Sequence, residues 1–276
     1  MRRFFLAALI PLATAKTLTV DFSTFASSGL TVAEFLDQNS LYRSAYQVDT
    51  KYPGDPTADP FPHIFETDNV DIQNGYLTLK VSGGTPQGSA VPSAEVGTYD
   101  SNILYGTFKT VAIASPVPGV CHGFFSYKND CEESDIELLT SFFNTGNTYV
   151  QPGLQLTNQN LKCDHTQNTH TQVAYPADPT AGEHEVHRVA VPLTPSSFRI
   201  SRTSFNTQYT LIWSANSVQY LFDGEVVATL TTNVPNEPSS FLWNSWSGGN
   251  VRWTAGPPTQ DSILRIKSIS LDYQTA

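Results

Sequence analysis

Three acids spaced one residue apart, Glu133, Asp135 and Glu137, stand in the run Glu133-Ser134-Asp135-Ile136-Glu137-Leu138-Leu139. In an extended chain side chains alternate between faces, so the three carboxyls share one side and Ser134, Ile136 and Leu138 the other. Like charges in a row repel, and stability alone gives no reason to align them. Cα atoms four residues apart in a strand are separated by about 13 Å. Two glutamates leaning together can approach the roughly 5–5.5 Å at which one carboxylate attacks an anomeric carbon while the other protonates the departing oxygen. An aspartate between them shares protons with both, so the ionisations split and one carboxyl stays protonated near working pH. The apparent pKa values then belong to the cluster.

Two blander readings compete. On a helix Glu133 and Glu137 would also share a face, as a solvated acidic stripe. The preceding Gly123-Phe124-Phe125-Ser126-Tyr127 and the polar turn Lys128-Asn129-Asp130 favour a strand. A calcium site also takes oxygen ligands, but the Asn- and Gly-rich ligand loop is missing around this cluster.

The elements that must position these acids are strands. Short runs rich in Val, Ile, Thr, Tyr and Phe recur between Gly, Pro, Asn and Asp clusters, among them Gly75 to Val81, Tyr105 to Val111 and Tyr209 to Trp213. Val218 to Val227 reads as a hairpin turning at Asp223-Gly224, a pair that supplies positive φ. The last strand spans Ser262 to Tyr273, with Ile269, Leu271 and Tyr273 on one face. The pattern predicts an all-β sandwich in a single domain over residues 16–276. Residues 1–15 read as a secretory signal: Arg2 and Arg3, an apolar run from Phe4 to Leu12, then Ala13-Thr14-Ala15. We expect an extracellular monomer with no membrane partner.

The chain carries 25 Asp+Glu against 15 Lys+Arg, a net charge of −10, which disfavours nucleic acid and anionic membrane but not a neutral polysaccharide. Cys121, Cys131 and Cys163 allow at most one internal disulfide, and Cys131–Cys163 and Cys121–Cys131 both stay open. His165 and His170 lack a Cys-x-x-Cys partner, so zinc is discounted. His165, His170, His184 and His187 fall in or near a polar loop with no nucleophile beside them, whereas His122 precedes the catalytic turn and is a candidate to reach the cleft.

Glu-x-Asp-x-Glu on a strand preceded by Gly-Phe-Phe-Ser-Tyr resembles the signature of glycoside hydrolase family 16. The resemblance implies a concanavalin-A-like β-jelly roll of two antiparallel sheets and retaining chemistry on β-glucans. It makes Glu133 the nucleophile, Asp135 the assisting acid and Glu137 the general acid/base. One residue between Asp135 and Glu137 is the unbulged spacing, closer to lichenases and wall-remodelling transglycosylases than to laminarinases. Ser93-Ala94-Glu95-Val96 is similar to a lichenase segment whose Glu contacts sugar, Tyr105-Gly106-Thr107-Phe108 to the strand after it, and Tyr127 to a cleft tyrosine. Trp243 to Trp253, with Gly256-Pro257-Pro258, resembles the family's C-terminal cleft region. Cys131 departs from the pattern, standing where lichenases have Trp. Trp246 and Trp253 are candidate sugar platforms, while Trp213 and Trp243 suit a core equally well. No cofactor is expected; Asp272 is the one residue considered for a structural calcium ion of the kind some members carry.

The leading reading is an endo-acting hydrolase of 1,3- or mixed-linked β-glucan. A transglycosylase needs the same three acids and differs in using a sugar acceptor in place of water. A lectin on the same sandwich would not require all three in register.

Overall fold

Period-two alternation governs the layers of the computed structural model, which describes residues 14–50, 55, 57–143, 148–149, 151–163, 167–175, 178–180 and 207–276. One sheet has eight strands, in the spatial order Glu225–Leu230, Ser217–Phe222, Thr207–Ser214, Ile103–Ile113, Ser262–Thr275, Tyr76–Val81 and Val70–Gln73, with Thr14–Asp21 also pairing with Ser262–Thr275. The other has nine, ordered Thr169–Val173, Leu154–Asn158, Glu132–Leu139, Cys121–Asn129, Ser240–Trp246, Val91–Thr98, His63–Phe65 and Tyr46–Val48, with Leu41–Arg43 also on Val91–Thr98. Pairing is antiparallel except between His63–Phe65 and Val91–Thr98. This is the two-sheet jelly-roll sandwich that the strand pattern and the resemblance imply.

The core lies between the sheets. Phe108 of the first stacks on Phe241 of the second at 4.6 Å between ring centroids, and Phe124 of the second meets Tyr209 of the first at 5.0 Å. Burying each such side chain contributes about 1.5–3 kcal/mol. Trp213 and Trp243 belong to this layer, with 2% and 0% of their surface exposed. Each indole N–H finds an acceptor, at Pro235 O (2.8 Å) and Thr110 Oγ1 (2.7 Å), as a buried donor must.

Local chemistry explains the exceptions to strict alternation. In Ser262–Thr275 the register slips between Ile266 and Ser268. That bulge lets Leu264, Ile266, Ile269, Leu271 and Tyr273 all face inward despite the odd step. The predicted turn at Asp223-Gly224 has φ of 49° and 84°, as a tight hairpin needs. At Gly106 φ is 157° and a Cβ would lie 2.6 Å from Asp272 O, which accounts for the Tyr-Gly pair read in the sequence. One short α-helix, Val32–Gln38, was not anticipated; Thr31 and Glu34 cap it reciprocally.

The strand Thr14–Asp21 starts inside the leader expected over residues 1–15, of which residues 1–13 lie outside the described ones. His165, His184 and His187 also lie outside them. No helix among the described residues is long and apolar enough to cross a membrane.

Candidate functional site

Glu132–Leu139 holds unbroken register with Cys121–Asn129 from Glu133 onward, and with Leu154–Asn158 over Ser134 to Leu138. The alternation is therefore rigid, and Ile136 and Leu138 enter the core while Glu133, Asp135 and Glu137 line a cleft of about 330 Å³. That volume suits a small-molecule or sugar-sized ligand. Glu133 stands opposite Tyr127, Asp135 opposite Phe125 and Glu137 opposite Gly123. Gly123 leaves room for the Asn244 amide: a Cβ there would lie 2.6 Å from Asn244 Oδ1, which would have to shift.

Low dielectric and crowding disfavour ionisation of the acids. Burial pushes the Glu133 carboxyl up to about 8; a hydrogen bond with Asp135 opposes this, and the charges of Glu137, Asp130 and Glu95 add to it. Burial, then the charge of Asp135, raises Glu137 to about 8, against hydrogen bonds from Cys121 and Trp253. Asp135 is displaced well above the usual carboxylate range by burial and by the charge and hydrogen bond of Glu133, with the Gln159 amide (Nε2 to Oδ2, 3.1 Å) working the other way. Three coupled acids thus retain protons into the neutral range. Their ionisations belong to the set of three rather than to any one of them.

Glu95 joins them from the strand Val91–Thr98. It is 2% exposed, and its carboxyl accepts from Ser44 Oγ (2.6 Å), Tyr46 Oη (3.1 Å) and Asn244 Nδ2 (3.5 Å). Burial raises its pKa and these donors resist the rise. Tyr127 also lines the cleft and donates to Asp130 Oδ1 at 2.8 Å.

The cleft continues past Glu137. Trp246 stands at the junction, stacked on His63 with 4.9 Å between centroids. Beyond it a second cavity is lined by Glu137, Thr157, Gln159, Asn168, His170 and Trp253 among others. Trp253 was expected as a sugar platform, and it does line this cavity, but its indole also hydrogen-bonds the Glu137 carboxyl. Holding that acid is a second role that the sequence reading did not give it. Cys121 is buried and unpaired, with its Sγ 3.3 Å from Glu137 Oε1.

The expectation for His122 is overturned. Gly123, Phe125 and Tyr127 face the cleft, so the residue before Gly123 points into the sandwich, where His122 is 0% exposed. Ser115 N–H donates to its Nε2 (3.2 Å), so Nδ1 carries the proton toward Ser245 Oγ (3.0 Å). Burial lowers its pKa to about 3. His170 donates Nε2–H to Gln155 Oε1 at 3.0 Å. Of the two disulfides left open, Cys131–Cys163 forms, with 4.8 Å between Cα atoms, tying the turn before Glu133 to the loop after Asn158. Asp272 lies on the other sheet and accepts from Thr17 Oγ1 at 2.8 Å. Among the described residues no group of three or more His, Cys, Asp and Glu is placed to hold a metal.

Sequence reading missed Ser44, Tyr46, His63, Asp130, Asn244 and Gln159. Only Asp130 carried a local signal, three residues after Tyr127 in the polar turn.

No family model and no curated protein sequence matches this chain. Solved structures do. A β-glucanase of Bacillus licheniformis is 13% identical, with TM-score 0.60 over 92% of this chain and 97% of that one. The catalytic domain of an endo-1,3-β-glucanase (laminarinase) of Thermotoga petrophila RKU-1 is 14% identical, with TM-score 0.62 over 96% and 100%. The Crh5 transglycosylase in complex with NAG is 19% identical, with TM-score 0.54 over 93% and 84%. At these identities the likeness is one of fold.

Proposed function

We propose that this chain is a retaining endo-glycosidase of β-glucans, built as in glycoside hydrolase family 16, with Glu133 as nucleophile and Glu137 as general acid/base. The observation that carries the reading is three carboxyls in strict register on one face of a strand, lining a cleft and displaced toward neutral pH. Glu133 attacks the anomeric carbon while Glu137 gives its proton to the departing glycosidic oxygen, leaving a glycosyl ester on Glu133. Glu137, now ionised, takes a proton from water, whose oxygen cleaves the ester and restores both acids. Asp135 hydrogen-bonds Glu133 and steadies the carboxylate that must attack. Glu95 and Tyr127 serve as hydrogen-bonding groups for the sugar on the glycone side, with Trp246 between the two cavities. The solved glucanase structures, which share the sandwich, support the substrate class. Secretion through a leader at residues 1–15 belongs to the same proposal and rests on the sequence alone.

One observation favours a transglycosylase as the second reading. The cavity beyond Glu137 presents the Thr157 hydroxyl, the His170 imidazole and the Trp253 indole to an incoming sugar. An acceptor held there competes with water for the glycosyl ester. Incubation with barley β-glucan, with laminarin, and with laminarin plus a labelled oligosaccharide separates the readings. Rising reducing ends without labelled polymer mark hydrolysis, and labelled polymer at constant reducing ends marks transfer. Saturable binding with neither would mark a lectin and end the enzymatic reading.

A further inference from the structure

A chain of amides runs from the backbone to the central acid. Asn160 N–H donates to Asn168 Oδ1 at 2.9 Å, Asn168 Nδ2 to Gln159 Oε1 at 2.6 Å, and Gln159 Nε2 to Asp135 Oδ2 at 3.1 Å. A side-chain amide has a donor end and an acceptor end, and its partners decide which faces where. The first donor here is a main-chain N–H, whose polarity is fixed. It turns the Asn168 oxygen toward Asn160, hence the Asn168 NH₂ toward Gln159, hence the Gln159 NH₂ toward Asp135. The segment is anchored at both ends. Gln159 N–H donates to Glu133 O (3.0 Å) and Cys163 N–H to Asn160 O (2.8 Å), and the Cys131–Cys163 bridge ties the loop to the turn before Glu133.

We propose that Gln159 is a positioning residue that decides which oxygen of Asp135 holds its proton, leaving Oδ1–H directed at the Glu133 carboxylate. The protonated oxygen of a carboxyl is the poorer acceptor, so an N–H at Oδ2 favours the proton on Oδ1. A donor aimed at Glu133 stabilises its ionised form. The other ionisable groups facing the pair are Glu137 on the same strand, Tyr127 and Asp130 on the preceding hairpin, Glu95, Cys121, and Tyr220 from the opposite sheet. His170 stands two strands away, bonded to Gln155. All are common to the native chain and to Gln159→Leu, so a change in that variant reports the amide, whereas Asn168→Asp also adds a carboxylate.

The proposal rests on the nucleophile role given to Glu133, and its test has a substrate-free arm. Gln159→Leu removes the donor. Asn168→Asp keeps an acceptor for Asn160 N–H but draws the Gln159 NH₂ to the new carboxylate, turning its oxygen toward Asp135. Both variants should lower kcat about tenfold with KM changed less than about twofold. Both should move the acid limb of the kcat/KM profile up by about half a pH unit, because Glu133 then ionises less readily. Side-chain carboxyl NMR titration should show the same upward move for Glu133 without substrate. Loss of activity with neither limb nor titration displaced would mean packing alone and overturn the proposal, as would variants indistinguishable from the native chain. A native chain that turns over no β-glucan would defeat the functional reading, while the titration would still judge the relay.

Discussion

The two sheets share one alternation in sequence and differ in what becomes of its polar half. In the eight-stranded sheet, Tyr76–Val81 and Ser217–Phe222 alternate half-buried and buried, their polar residues facing water. In the nine-stranded sheet Leu154–Asn158, which also alternates, is buried at every position. Polar groups taken out of water must find partners or lose stability. Here they find one another: Gln155 with His170, Asp135 with Gln159, Glu95 with Ser44. One sheet is half of an ordinary core; the other is a core on one side and an organised polar floor on the other. A β-sandwich thus marks its working face by buried polarity on the side away from the partner sheet.

The largest test of this contrast is Glu133→Gln. Turnover should fall by at least about a thousandfold, whereas the melting temperature should rise above pH 5. The sign follows from the displaced carboxyl. Glu133 binds its proton more tightly folded than unfolded, so its ionisation costs stability as pH climbs from the ordinary value of 4.5 to about 8, and no further beyond. Neutral Gln escapes that cost. Melts from pH 4 to 9 in parallel with steady-state rates check both halves, and a fully active variant would remove Glu133 from the site.

Glu137→Gln comes next. Hydrolysis of polymer should drop by about a hundredfold or more, with smaller losses on aryl glycosides whose leaving groups need little protonation. Equal losses on both would count against the acid/base role. On the opposite sheet, Leu211 is fully buried. Leu211→Ala should cost about 2–5 kcal/mol in denaturant titration while leaving kcat per folded molecule unchanged. A kcat that fell with stability would show that the two sheets are not separable in this way. The smallest effect belongs to exposed Lys109 on the same sheet. Lys109→Ala should lie within about 0.5 kcal/mol of the native chain, with activity intact.

The acidic strand was legible because its geometry is local. Once Glu133 to Glu137 is extended, parity alone decides which way each side chain points. The same parity, applied one strand earlier, would have sent His122 inward with Phe124 and Ser126, and the sequence reading did not apply it. The helix Val32–Gln38 likewise announced itself through Thr31 and Glu34, a signal passed over among so many strands. Glu95 was reachable only through resemblance, because nothing near it in sequence says which strand lies alongside. Ser44, Asn244 and Gln159 depend on contacts 24 to 149 residues apart, set by sheet order that no local pattern encodes. The disulfide was undecided for the same reason: three thiols are countable, but which two meet is settled by topology.

The groove that holds the acids has a further property. Glu95, Asp130, Glu133, Asp135 and Glu137 all line it, and among the described residues neither Lys nor Arg does. A sulfated galactan or a uronic-acid polymer would bring fixed negative charge into a low-dielectric trough where no described Lys or Arg meets it and where every acid that ionises repels it. An uncharged glucan brings only hydroxyls, which carboxyls and tyrosines can accept from or donate to. On the proposed function, walls of this kind would favour an uncharged polymer over an anionic one before any contact reads linkage.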